Sequence, residues 1–117
     1  MAPPLQVALR HVGSVTVFTL TGQLAYEEGT RALRSALTSA VASGVRLCLL
    51  DMRDVTYLDS GGVGLLVAMF RHVTSRGGQF KLLRPSAAAR RVLGISHLTR
   101  VFDIFDEESD ALLNLGG

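Results

Sequence analysis

The run Asp54-Val55-Thr56-Tyr57-Leu58-Asp59-Ser60-Gly61-Gly62-Val63-Gly64-Leu65-Leu66 puts an acid and a hydroxyl directly ahead of three glycines in four residues. Val63, Leu66, Val67, Phe70 and Val73 follow at helical spacing, so Ser60 is expected at the N-cap of a helix. Glycine inside a helix costs about 1 kcal/mol relative to alanine, and three near the first turn need a reason. One is access: bare backbone lets a partner approach the Ser60 hydroxyl, and the free N–H groups with the positive end of the helix dipole would stabilise a phosphate placed on it. The other is purely structural, with Ser60 as a cap and the glycines allowing tight packing of helix on sheet. Spacing alone leaves both open.

Other chemistries fit less well. A P-loop needs Lys-Ser or Lys-Thr after its glycines, where this chain has Leu65-Leu66. A dinucleotide fingerprint would take Gly62 and Gly64 but needs a third glycine where Val67 stands. A nucleophile elbow needs glycine in place of Leu58. His11, His72 and His97 are expected in a turn, late in a helix and in a loop, at spacings that suggest neither a triad nor a metal, and no catalytic base for Ser60 is identifiable. The reading is a non-enzymatic protein with no cofactor and no metal. The single Cys48, between Leu47 and Leu49, excludes an internal disulfide and reads as a small core residue.

The elements that carry Ser60 are legible from periodicity. Leu5–Arg10 and Ser14–Leu20 are β-rich runs around a turn at His11-Val12-Gly13, with Thr21-Gly22 ending the second strand. Leu33, Leu37, Ala40 and Val41 mark one face of a helix over Tyr26–Ala42, which Gly44 stops. Val45–Asp51 is an almost unbroken apolar run, the pattern of a strand buried on both faces. A loop through Asp54 and Tyr57 then leads to the Ser60 helix, which runs to Gly77-Gly78. That helix is apolar nearly all round, since Leu65, Ala68 and Met69 lie off its main stripe, and burial beneath a neighbouring helix is favoured over an exposed docking strip. Gln79–Leu83 is the next strand, Pro85-Ser86 opens a short helix, Val101–Phe105 is a last strand, and Asp106 is expected to cap a final helix. The order β-β-α-β-α-β-α-β-α predicts an α/β fold: one mostly parallel sheet with an antiparallel N-terminal strand and right-handed crossovers.

With 117 residues, 48% of them apolar, the chain suits one domain with a sizeable core. No apolar run reaches the ~20 residues of a membrane span, and the first residues lack the basic start and apolar stretch of a secretory leader, so a cytoplasmic protein without membrane insertion is expected. The formal charge of +2 hides an asymmetry: residues 1–102 hold all twelve bases and five acids, and residues 103–117 hold five acids and no base. The bases are scattered without an aromatic stacking platform, which argues against direct nucleic-acid binding. The acids Asp106, Glu107 and Glu108 are expected in the first turn of the last helix, where the helix dipole favours them by ~0.3–1 kcal/mol each.

Taken together, Asp59-Ser60-Gly61-Gly62-Val63-Gly64, Leu20-Thr21-Gly22-Gln23-Leu24, Leu49-Leu50-Asp51, Tyr57-Leu58, Gly77-Gly78, Arg91-Val92-Leu93 with Leu98, Val101-Phe102-Asp103-Ile104 and Ala111-Leu112 resemble, in register, the STAS family, and within it the single-domain bacterial anti-sigma factor antagonists. The resemblance runs from about Val15 to Leu115 and implies one STAS domain over residues 1–117. It implies further that Ser60 is phosphorylated by an anti-sigma factor that is also a serine kinase. The unphosphorylated protein would bind that factor and free a sigma factor, the phosphorylated protein would let go, and a PP2C-type phosphatase would reset the switch. Thr21, Gly22, Gln23, Leu24, Asp59, Ser60, Gly61, Gly62 and Gly64 would form the partner-binding surface. Three positions depart from the family pattern: Gly61 follows the acceptor in place of Ser or Thr, Ala25 stands where an acid usually follows the Gly-x-Leu turn, and His97-Leu98 replaces a Gly-Leu pair. The alternative within the family is a STAS subunit docked on the ATPase of an ABC-type lipid transporter.

Overall fold

Val15, Val17, Phe18 and Leu20 are all fully buried, which requires that the strand carrying them be covered on both faces. A computed structural model, which describes residues 4–116, shows how this is done. The elements are β1 (Gln6–Val12), β2 (Val15–Leu24), α1 (Tyr26–Ala42), β3 (Leu47–Leu58), α2 (Ser60–Thr74), β4 (Gln79–Leu83), α3 (Ala87–Ile95), a 3-10 turn (Leu98–Arg100), β5 (Ile104–Phe105) and α4 (Glu108–Leu115). The strands form one sheet in the order β1-β2-β3-β4-β5, with β1 antiparallel to β2 and every other pair parallel. Residues 1–3, part of the N-terminal stretch read for a leader, lie outside the described residues.

The period of two along each strand sorts the core into two layers. Phe18, Leu20, Cys48, Leu50, Met52, Phe80 and Leu82 face α1, α2 and α3 in the larger layer. Val15, Val17, Leu49 and Leu83 point the other way and meet Ala111 and Leu115 of α4. Each such apolar side chain contributes roughly 1.5–3 kcal/mol by leaving water. Cys48 is a core residue as expected, and burial pushes its thiol up to about 12, which keeps it inert at neutral pH.

Several boundaries differ from the sequence reading. β3 does not end at Asp51 but continues to Leu58, because the end of β2, also longer than expected, pairs with it: Thr21 opposite Asp54, Gly22 opposite Val55 and Leu24 opposite Leu58. The expected loop through Asp54 and Tyr57 is therefore strand. His11 lies in β1 and not in the turn; it stands opposite Thr16 in the hairpin, with Nδ1 3.0 Å from the threonine hydroxyl, and Gly13 at φ 60° makes the turn. The last strand is only Ile104–Phe105. Val101 and Phe102 instead close the 3-10 turn on Leu98 O, and Phe102 inserts edge-on against Phe70, ring centroids 5.5 Å apart. In α2, Leu65, Leu66, Met69 and Val73 are buried while Gly64 and Ala68 are exposed, so the burial reading holds for Leu65 and Met69 and fails at Ala68.

Asp106 does not cap the final helix. α4 begins at Glu108, and Asp106 accepts from Arg90 Nη2 at 2.9 Å. Asp103 pairs with Lys81, and Glu108 takes both Nη atoms of Arg10, one at 3.1 Å. The acidic tail is thus tied to the basic body by three ion pairs. Of the three acids expected in the first turn of α4 only Glu108 lies there, together with Asp110, because the helix starts two residues after Asp106 with Glu107 as its N-cap. Glu108 is held below the usual carboxylate range, chiefly by the Arg10 hydrogen bond, with burial opposing and the charges of Arg10 and Arg84 helping. A depressed carboxyl contributes stability that is present above its unfolded value of about 4.3 and lost as pH falls through the folded value. Urea midpoints measured from pH 6 to pH 3 should therefore fall at the acid end, and Glu108→Gln should flatten that fall; an unchanged acid limb would refute the linkage.

Candidate functional site

Two βα junctions lie side by side at one end of the sheet, the C-terminal ends of β2 and β3, because these strands are parallel neighbours. Asp59 fastens them together. It is the N-cap of α2, with extended backbone (φ −106°, ψ −178°), and its Oδ1 accepts the Gly62 N–H at 2.8 Å. Its Oδ2 accepts the N–H of Tyr26, the first residue of α1, at 3.2 Å. One carboxylate thus serves the starts of two helices. Helix α1 has no cap of its own, since Ala25 carries no side-chain acceptor and is buried. Asp59→Ala should cost about 1–2 kcal/mol for the α2 cap, and Asp59→Asn less. Urea unfolding checks this, and a loss below about 0.5 kcal/mol would contradict the capping role.

The expected N-cap is therefore corrected from Ser60 to Asp59, and the correction changes what Ser60 can do. Ser60 is the first helical residue and is exposed, and its hydroxyl takes part in none of the side-chain hydrogen bonds found among the described residues. The Gly62 N–H goes to Asp59 Oδ1 and the Val63 N–H to Asp59 O. By helix geometry the amides of Ser60 and Gly61 have no intrahelical acceptor, and they point toward whatever approaches this end.

The glycines of the cluster differ in their surroundings. A Cβ on Gly62 would stand 2.1 Å from Leu24 O and 2.7 Å from Leu58 Cδ1, so Gly62 is there for packing. A Cβ on Gly64 would meet nothing within 4 Å, and one on Gly61 only Asp59 Oδ1 at 3.4 Å. These two leave the surface beside Ser60 open. Of the other residues expected at this surface, Thr21 is exposed and Gln23 half-buried, whereas Gly22 and Leu24 are buried and shape the junction from within.

Sequence reasoning missed an aromatic pair. Tyr26 and Tyr57, the only tyrosines in the chain, stack with centroids 6.1 Å apart and planes inclined by 30°. They remain 64% and 43% exposed, so they stand as a solvent-facing apolar surface at the helix starts. Tyr26 sits at φ 60°, a left-handed conformation uncommon for an aromatic residue. The pair could not be found without the β2–β3 register, which sets Gln23 opposite Tyr57 and so brings the two junctions together. No group of three or more metal-ligating side chains occurs among the described residues, and no helix among them is long and apolar enough to cross a membrane.

The STAS domain model matches residues 6–111. The chain is similar to an anti-sigma F factor antagonist of Paenibacillus polymyxa, 25% identical over 114 residues and 95% of each chain. It is also similar to an anti-sigma-B factor antagonist of Bacillus subtilis, 36% identical over 74 residues; that match covers 62% of this chain and 65% of the relative's length. Among solved structures, an anti-sigma factor antagonist from Mycobacterium paratuberculosis superposes with a TM-score of 0.85 at 21% identity, covering 97% of this chain and 95% of that one. The unphosphorylated form of the anti-sigma factor antagonist SpoIIAA superposes with a TM-score of 0.81 at 24% identity, covering 96% and 97%. The five-stranded mixed sheet and the extent of the domain match agree, and the chain belongs to the STAS domain family.

Proposed function

We propose that this protein is an anti-sigma factor antagonist whose binding is switched by phosphorylation of Ser60. In this reading the unphosphorylated protein, acting in the cytoplasm, engages an anti-sigma factor with serine kinase activity and so releases a sigma factor. A PP2C-type phosphatase returns the phosphorylated form to the binding state, and the protein itself performs no catalysis. The observation that carries the reading is the division of labour at the start of α2: Asp59 does the capping, and the exposed Ser60 hydroxyl is left without a hydrogen-bond partner among the described residues.

The surroundings support the same reading. Gly61 and Gly64 leave the approach to the hydroxyl open, and the exposed Tyr26–Tyr57 pair offers a rigid contact surface of the kind enriched at interfaces. A phosphoryl group here would add about −1.5 to −2 charges beside Asp59, weakening a docked complex by repulsion and desolvation without refolding the domain. The test is incubation with ATP and the kinase-type anti-sigma factor of the same cell, followed by mapping of phosphate by mass spectrometry. Modification at Ser60 that disappears in Ser60→Ala is expected. Phosphate elsewhere, or none, would overturn the reading.

A further inference from the structure

At the opposite end of α1 and α2 from Ser60, roughly 20 Å away along a 15-residue helix, lies a pocket of about 370 Å³ lined by Thr38, Val41, Ala42, Arg46, His72 and Arg76. None of these is acidic, and the reason is written in the chain: residues 29–50 and 60–102, which supply the whole lining, contain ten bases and no Asp or Glu. The ends of two helices would ordinarily present partial negative charge. Here that charge is covered. Arg46 Nη1 donates to Val41 O at 3.0 Å and Val45 O at 2.9 Å, and Arg76 Nη1 donates to His72 O at 2.9 Å and to Ser75 Oγ at 3.3 Å.

These bonds hold both guanidinium groups in place through a single nitrogen. Nη2 and Nε of each have no hydrogen-bond partner among the described residues, and neither arginine belongs to the ion pairs that occupy Arg10, Arg31, Lys81, Arg84 and Arg90. Two anchored guanidinium groups with donors to spare match the several oxygens of a phosphate better than the two of a carboxylate. The half-buried His72 adds a further polar group, and Val41 and Ala42 provide an apolar wall for a small organic body. We propose that this basal pocket binds a small soluble phosphate monoester. The inference is independent of the Ser60 reading, because it uses no residue of that site.

Amide chemical shifts of the full chain during titration with inorganic phosphate and with ribose 5-phosphate test it. Shifts confined to residues 38–46 and 72–78 are expected, saturating in the millimolar range, with ribose 5-phosphate the tighter of the two. The double variant Arg46→Gln/Arg76→Gln should bind at least tenfold more weakly. Should that variant lose the native spectrum, Arg46→Lys and Arg76→Lys, which keep the charge but not the fork, should each weaken binding about threefold. Sodium chloride at matched ionic strength reproducing the shifts, no shifts in these segments, or unchanged affinity in the variants would overturn the proposal. Binding to phosphatidate vesicles without any response to ribose 5-phosphate would overturn it as well.

Discussion

Gly62→Ala is expected to destabilise the protein by about 3 kcal/mol or more, whereas Gly64→Ala, two residues on in the same helix, should stabilise it by up to about 1 kcal/mol. Both substitutions gain the intrinsic helix preference of alanine over glycine, about 1 kcal/mol. At Gly64 nothing opposes the gain, since the new methyl meets no atom within 4 Å. At Gly62 the methyl would stand 2.1 Å from the backbone carbonyl of Leu24, which lies on a central strand and cannot yield without disturbing the β2–β3 ladder. Overpacking of a well-filled interior typically costs 1–3 kcal/mol, and a clash with backbone lies at or beyond the top of that range. Paired urea titrations decide the matter. Equal effects at the two positions would mean that the glycines share one role, contrary to their geometry.

The largest functional effect is expected from charge on Ser60. If the switch operates, phosphorylated protein should bind the anti-sigma factor at least a hundredfold more weakly than unmodified protein, equivalent to about 3 kcal/mol. Ser60→Asp, which carries one charge on a shorter arm, should lose about tenfold. The physical reason is local. In the proposed docking surface, added negative charge would fall beside the Asp59 carboxylate, whose oxygens already accept the Gly62 and Tyr26 amides. Neither form should lose stability, and a gain of up to about 1 kcal/mol by urea unfolding is expected, because Ser60 is exposed, contributes no capping bond and stands at the positive end of the α2 dipole. Calorimetric titration of the three forms against the partner measures the effect. Ser60→Asp and phosphorylated protein binding as tightly as the unmodified chain would dispose of the switch while leaving the family assignment untouched.

The order of elements, most of the core positions and the place of Ser60 at a helix start were readable from sequence because they depend on local periodicity. Ser14–Leu20 is rich in β-formers, Val45–Asp51 is apolar enough to demand burial on both sides, and Leu33, Leu37, Ala40 and Val41 recur at helical spacing, whatever their partners are. The motif Asp59-Ser60-Gly61-Gly62-Val63-Gly64 likewise announced a helix start, with access and tight packing both left open by its spacing. Its internal assignment did not follow. Aspartate and serine are both good caps, so adjacent candidates cannot be separated by propensity. The choice fell to Asp59 because its second oxygen also meets the Tyr26 amide, 33 residues earlier in the chain.

The same holds for the remaining features, each of which depends on pairing between distant segments. The length of β3 follows from a β2 that runs on beside it, the Tyr26–Tyr57 stack from the β2–β3 register, and the separate roles of Gly62 and Gly64 from the position of Leu24 O. The grouping of Arg46, His72 and Arg76 comes from the packing of α1 against α2. Sequence alone therefore determined a βα protein with a serine and a glycine cluster at a helix start, because hydrophobic period and glycine content act within a few residues. The tertiary structure decided which side chain caps, which glycine packs and which side chains stay exposed, because those outcomes are contacts between residues tens of positions apart, and no local period encodes them.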